Sequence, residues 1–314
     1  MERHIPKLSN PRQRIDELQA PERIRKMCWA LLLISMTPGV SAQERQVDPT
    51  WLHRYAPQLS ETRIDLSSRT CHYKPIFGEG DNENRSMRSV ARFGQATIDA
   101  RGACHSAIYD RQEEIYFVLE GAGTLHYGNQ AHTLHANDFT YLAPGVKHAI
   151  ENNSGRALRV LVMTFKIPSS VAIGAPPPQP KIVNMDGVEE ETVQGHPTSV
   201  LYKLLAGPRT GTRDAIDQAY VVTSFFLMDF APGGTNFPHH HEVAEEIYLV
   251  VDGEGDMVAG GGMDGIEGRH PAKAGDAYYF RPNCTVGFYN QNKAGQKAHI
   301  LAVRSRIPLP KDDD

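Results

Sequence analysis

The sequence predicts an all-β protein of two tandem barrels, and three features carry that prediction. Past residue 60, short apolar runs rich in β-branched and aromatic residues follow one another, separated by Gly, Pro, Asn and Asp. Helical periodicity is scarce over the same stretch. Two blocks of sequence also occur twice, in the same order. Residues 113–123 read EEIYFVLEGAG and return at 245–255 as EEIYLVVDGEG; residues 137–152 read NDFTYLAPGVKHAIEN and return at 275–290 as GDAYYFRPNCTVGFYN. One such match can arise by chance, but two in register mark a duplicated domain. The C-terminal blocks lie slightly further apart, and the extra length falls at Gly260-Gly261-Gly262, which reads as a hairpin loop.

The predicted strands include 115–119, 139–142 and 158–165 in the first half, and 220–230, 247–251, 277–280 and 299–303 in the second. A proline cluster at Pro176-Pro177-Pro178 and Pro180 separates the halves and reads as a stiff connector. The resulting boundaries are a targeting segment over 1–42, an N-terminal barrel over 43–166, a connector over 167–217 and a C-terminal barrel over 218–314.

The 314-residue chain has room for two ordinary domains. Its formal net charge of −4 and lack of a long basic run exclude an electrostatic footprint for nucleic acid. Near the N-terminus, Arg23, Arg25 and Lys26 flank the apolar run 28–35, and Val40-Ser41-Ala42 offers small residues for cleavage. Met27 is an alternative start. That run is too short to span a bilayer, so a secreted or periplasmic protein with no membrane partner after cleavage is expected. Of four cysteines, Cys28, Cys71, Cys104 and Cys284, three would survive cleavage. One disulfide among them is compatible with an oxidising compartment, and the sequence leaves its pairing open.

The chemistry concentrates between Gly233 and Gly253. His239 and His241 alternate, so on an extended strand they point to one side while His240 points away. Glu246 opens the next strand and can reach the same point. Two imidazoles and one carboxylate suit a divalent iron, manganese, nickel or zinc ion, with coordination positions left over. Glu246 is also the candidate catalytic residue, as ligand and proton acceptor. Glu113 and Glu245 are expected to face outward by alternation. Arg281 is a candidate partner for an anionic substrate.

The spacing Gly233-x5-His239-x-His241-x4-Glu246-x6-Gly253 resembles the first motif of the cupin superfamily, and 275–290 resembles the second. That resemblance implies two jelly-roll barrels (double-stranded β-helices) in a bicupin chain. It also implies a metal in the barrel mouth, a small-molecule substrate or ligand, and room for a homo-oligomer. Two departures stand out. In the C-terminal half the second-motif His position falls on Val286, although Asn290 is kept. In the N-terminal half Glu114, Gly121, Pro144, Gly145, His148 and Asn152 are kept. There the His-x-His positions fall on Ala107 and Tyr109, or, counted from Gly102, on Ile108 and Asp110. Glu114 and His148 therefore form a weaker second site. The expected activity is metal-dependent oxidation of a small oxygenated substrate, dioxygenase-like. The alternatives are a metal-dependent isomerase or decarboxylase, or a barrel that binds a sugar or other small ligand without turnover.

Overall fold

The computed structural model describes residues 49–261, 267–291 and 295–308, so the targeting segment 1–42 lies outside the described residues. In chain order the strands are β1 (Trp51–Tyr55), β2 (Cys71–Gly78), β3 (Val90–Ile98), β4 (Gln112–Glu120), β5 (Ala122–Tyr127), β6 (Gln130–His135), β7 (Asp138–Leu142), β8 (His148–Glu151), β9 (Leu158–Lys166) and β10 (Ile182–Asn184). They continue with β11 (Val200–Pro208), β12 (Ile216–Ala219), β13 (Val222–Phe230), β14 (Ala244–Asp252), β15 (Glu254–Gly260), β16 (Glu267–Lys273), β17 (Asp276–Phe280), β18 (Thr285–Tyr289) and β19 (Ala298–Arg306). The helical elements among the described residues are single 3-10 turns, and none is long and apolar enough to cross a membrane.

Each half is a two-sheet jelly roll. The N-terminal half has a large sheet in the order β10-β7-β4-β9-β3-β2 and a small one, β6-β5-β8. The C-terminal half repeats this as β1-β17-β14-β19-β13-β11-β12 and β16-β15-β18. The two halves exchange edge strands. β1 precedes the N-terminal barrel yet pairs with β17, from Trp51 opposite Phe280 to Tyr55 opposite Asp276. β10 lies in the connector and pairs with β7. Each exchanged strand covers an otherwise open sheet edge of the opposite barrel. The strands thus depart from the boundaries drawn on composition. β1 belongs to the C-terminal sheet, and the 167–217 connector contains β10, β11 and the start of β12.

The long apolar runs follow from how the barrels meet. Along β13, β14 and β19, Phe226, Met228, Tyr248, Val250, Ile300 and Ala302 fill the C-terminal barrel's own core. Their neighbours Phe225, Leu227, Ile247, Leu249, Leu301 and Val303 join a cluster shared with the N-terminal barrel. Phe225 meets Phe117 and Phe139 edge-on, with ring centroids 6.2 Å apart in both cases. A strand covered on both faces reads as continuous apolar sequence instead of alternating.

Glu113 and Glu245 do point away from their barrel interiors, but they are 0% and 1% exposed, because outward here means into the other barrel. Glu245 accepts backbone N–H bonds from Arg88 (2.6 Å), Ser89 (2.9 Å) and Val90 (3.1 Å), and hydroxyl bonds from Ser89 (2.6 Å) and Tyr279 (2.8 Å). Glu113 does the reciprocal: it accepts from the backbone of Tyr220 (2.6 Å), Val221 (2.9 Å) and Val222 (2.8 Å) and from the Tyr141 hydroxyl (2.9 Å). Each carboxylate therefore clamps the start of the equivalent strand, β3 or β13, in the opposite barrel.

Cys71 and Cys104 form a disulfide, and Cys284 is free and buried. The bridge closes a 33-residue separation. Chain-entropy arguments assign a loop of that size about 3–4 kcal/mol.

Candidate metal centre

The loop from β13 to β14 is shaped by its own hydrogen bonds. Phe237 adopts a left-handed backbone, φ 55°, uncommon for a residue with a side chain. The Phe237 N–H donates to Thr235 Oγ1 (3.0 Å), and its carbonyl accepts from His239 Nδ1 (2.8 Å). Asn236 pins the loop inside the barrel: its amide donates to the Tyr248 hydroxyl (3.0 Å) and its Oδ1 accepts from the Phe288 N–H (2.8 Å). His239 then pairs through its backbone with Val286, so it runs extended and shares a face with His241. Glu246 stands on β14 between Phe280 on β17 and Arg304 on β19.

The fold thus brings His239, His241 and Glu246 together, with one donor atom from each lying within 4.8 Å of the others. His241 Nε2 is 3.1 Å from Glu246 Oε2. Glu246 is 2% exposed at its side chain and His241 22%, so the group is closed at its base and reached from one side. The Phe237 carbonyl holds the proton of His239 on Nδ1, which leaves the Nε2 lone pair free; a metal-ligating imidazole needs that tautomer. Burial holds the His239 imidazole below its ordinary range and therefore neutral. Burial by itself would raise the Glu246 carboxyl, but His241, Arg304 and His239 outweigh it and keep the group below the usual carboxylate range. Glu246 Oε2 is buried and lacks a well-aligned hydrogen bond among the described residues. A buried carboxylate oxygen whose near neighbours are imidazole nitrogens is the environment a divalent cation satisfies. The residues present fit such an ion.

Three further side chains at this group are not singled out by the sequence pattern. Arg304, on the inward face of β19, places Nη1 at 3.1 and 3.4 Å from the two ring nitrogens of His241. His196, from the segment before β11, stacks edge-on against His239 with ring centroids 5.3 Å apart, and its Nδ1 lies 3.0 Å from the Asn236 carbonyl. Tyr202 on β11 is 3% exposed, and its hydroxyl has no partner among the described residues. Alternation along β19 carries the signal for Arg304, two residues beyond the inward Ala302. The Arg281 guanidinium instead donates through Nη1 to the Pro49 carbonyl (3.5 Å).

The N-terminal barrel shows what the same frame does with other residues. Ala107 pairs with His148 as His239 pairs with Val286, which fixes the correspondence on Ala107 and Tyr109 and rules out Ile108 and Asp110. His148 and Glu114 are brought together as a closed ion pair, 2.7 Å apart and 2% and 1% exposed. Thr164 Oγ1 donates to Glu114 (2.8 Å), and the Tyr109 hydroxyl accepts from Arg92 (3.0 Å) and donates to Asp65 (2.5 Å). Glu114 and His148 lack a third ligand among the described residues. Burial would lower the His148 imidazole, but Glu114 outweighs it and raises His148 above its ordinary range. A raised histidine adds stability that is complete below the unfolded-state value and is lost as pH rises through the folded one. Unfolding free energy should therefore fall as pH rises above the ordinary imidazole range, and urea titrations of His148→Gln should lack that fall.

Two residues kept in both halves prove structural. Asn152 is fully buried and donates to the carbonyls of Ile98 (3.0 Å) and Asp99 (2.9 Å). Asn290 does the same to Phe230 and Ala231, both at 3.1 Å. Each ties down the end of β3 or β13. Gly253 has φ 80°, and a Cβ there would sit 2.7 Å from the Lys297 carbonyl oxygen, so only glycine fits the β14–β15 turn.

The Cupin domain family matches the chain twice, over residues 96–164 and 226–304. No curated protein matches it in sequence. Among solved structures, the chain is similar to the "Putative Glyoxylate Induced Protein" of Pseudomonas aeruginosa (TM-score 0.64, 14% identity, 87% of this chain and 96% of that one). It is also similar to YlbA of Escherichia coli (TM-score 0.60, 13% identity, 84% and 94%). A third similar structure is the oxalate decarboxylase of Lactobacillus farciminis in complex with formate (TM-score 0.59, 12% identity, 82% and 86%). At these identities the likeness is one of fold.

Proposed function

The chain is a two-domain cupin, and on that premise we propose that its C-terminal barrel is a metal-dependent enzyme site for a small oxygenated substrate, with oxidation the leading reaction. The observation that carries this reading is the convergence of the donor atoms of His239, His241 and Glu246 within 4.8 Å, with the buried Glu246 carboxylate at their base. A bound divalent ion would supply Lewis acidity or oxygen activation.

The chain's own residues do the rest. His239 presents a neutral imidazole nitrogen and His241 a second ring nitrogen on the same face, and Glu246 offers its negative oxygen from the barrel floor. With its carboxyl held below the usual range, Glu246 is a weak base and serves chiefly as a ligand. Val286 stands where a fourth imidazole would, so that coordination position has no protein ligand from this strand. Arg304, a cation beside the triad, favours a second reading, in which an anionic substrate is isomerised or decarboxylated without oxygen.

Elemental analysis of the purified protein, with oxygen uptake followed during a screen of catechol- and flavonol-like substrates and small carboxylic acids, separates these readings. About one divalent ion per chain and substrate-dependent oxygen uptake support oxidation. Metal with anaerobic turnover supports the second reading. Ligand-induced thermal stabilisation without product would leave a binding barrel. The Cys71–Cys104 disulfide and the 1–42 segment support export of the mature chain by way of an oxidising compartment.

A further inference from the structure

The two barrels each place an arginine at their candidate site, and the two are treated in opposite ways. Arg92 on β3 of the N-terminal barrel is 3% exposed and saturated: it pairs with Glu79, with Asp65 at 3.1 Å and with the Tyr109 hydroxyl at 3.0 Å. The C-terminal barrel has Ser224 at the equivalent position and carries its arginine on β19 instead. Arg92 lies opposite Thr164 in the first barrel, as Ser224 lies opposite Arg304 in the second. Arg304 has no carboxylate within ion-pair distance among the described residues. Its Nε donates to Thr223 Oγ1 at 3.3 Å. Its Nη1 lies within hydrogen-bond distance of both ring nitrogens of His241.

A partly buried guanidinium that makes no direct ion pair gains from a further counter-charge. Glu246, the nearest negative group, is directed at His241. A second donor points to the same need. The Tyr202 hydroxyl is buried and unpartnered, and its electrostatic neighbours are Glu246 and Arg304. Burial, with Glu246 adding to it, pushes this phenol above its ordinary range, so it stays a neutral O–H donor.

We infer that the mouth of the C-terminal barrel binds a substrate through a carboxylate, which accepts hydrogen bonds from the Arg304 guanidinium and the Tyr202 hydroxyl at the open side of the His239, His241 and Glu246 group. The guanidinium fork matches a planar carboxylate, and the Tyr202 phenol adds a buried donor without a partner among the described residues. Arg304 is on this account the specificity-determining residue. The inference deepens the proposed function, because it gives that site's substrate a chemical class.

Isothermal titration tests it with formate, acetate and benzoate as probes, against inorganic phosphate and neutral benzamide, on the manganese-loaded and the chelator-treated full chain. The variants are Arg304→Thr, which copies the residue of the N-terminal barrel, Arg304→Lys, and Tyr202→Phe. Wild type should bind at least one carboxylate, and Arg304→Thr should weaken it by about 30-fold or more. Arg304→Lys should recover part of the loss, and Tyr202→Phe should weaken binding by about 3- to 10-fold. All three variants should keep the wild-type fold by circular dichroism. Carboxylate affinity within about threefold of wild type in Arg304→Thr would overturn the inference, as would equal binding of phosphate or benzamide, or no carboxylate binding by wild type. Carboxylate binding that depends on Arg304 in a protein that takes up no metal would uphold the inference while sinking the metal reading.

Discussion

His239→Ala/His241→Ala should reduce bound divalent metal from about one ion per chain to below about a tenth of that, with the fold unchanged. Both side chains are only partly buried, and neither belongs to the apolar cluster that fills the barrel. Two of the three ligands go, and one carboxylate cannot hold the ion. Metal should also stabilise the wild type against heat, by about 2.7 kcal/mol at a hundredfold excess over Kd, and this increment should vanish in the double variant. The pH dependence has a definite sign. Ligation needs neutral imidazoles, so acid releases the metal. Burial lowers His239, so its protonation begins only below the ordinary imidazole range. Metal retained by the double variant in elemental analysis would mean that the three donor atoms are not the site.

The triad was legible because its geometry is local. Alternation along one strand and a short turn to the next suffice to bring His239, His241 and Glu246 to one point. Arg304, His196 and Tyr202 come to that point from β19, from the segment before β11 and from β11 itself. No local spacing connects them to the His-x-His motif. Arg304 was partly within reach, since inward positions on β19 alternate through Ile300 and Ala302 to it. The exchange of β1 and β10 was not, because an edge strand contributed from the far side of a barrel leaves no trace in local pattern. Glu113 and Glu245 show the same limit. Alternation gave the side of the strand correctly, but the identity of what covers that side is a tertiary fact.

Replacing Glu245 by alanine should cost about 3–5 kcal/mol, although it lies outside every candidate site. The carboxylate satisfies the backbone N–H groups of Arg88, Ser89 and Val90 where β3 begins, together with two hydroxyls. Truncation leaves the backbone N–H groups of Ser89 and Val90 buried without that acceptor, each such group costing about 1–3 kcal/mol, while the Ser89 and Tyr279 hydroxyls keep Ser305 and the Ser86 carbonyl. Glutamine should recover little, because its amide turns donors toward donors. Glu113→Ala should cost a similar amount by releasing Tyr220, Val221 and Val222 at the start of β13. The two clamps hold the same contact between barrels, so their effects should not add. Once one is lost, the contact carries less of the stability that the second protects. Urea denaturation should show one cooperative transition for the wild type and two for Glu113→Ala/Glu245→Ala, as the barrels lose their coupling. Single variants that cost less than about 1 kcal/mol would place the coupling in the apolar contacts around Phe225 and Phe117 instead, since that is the median worth of a pair open to solvent.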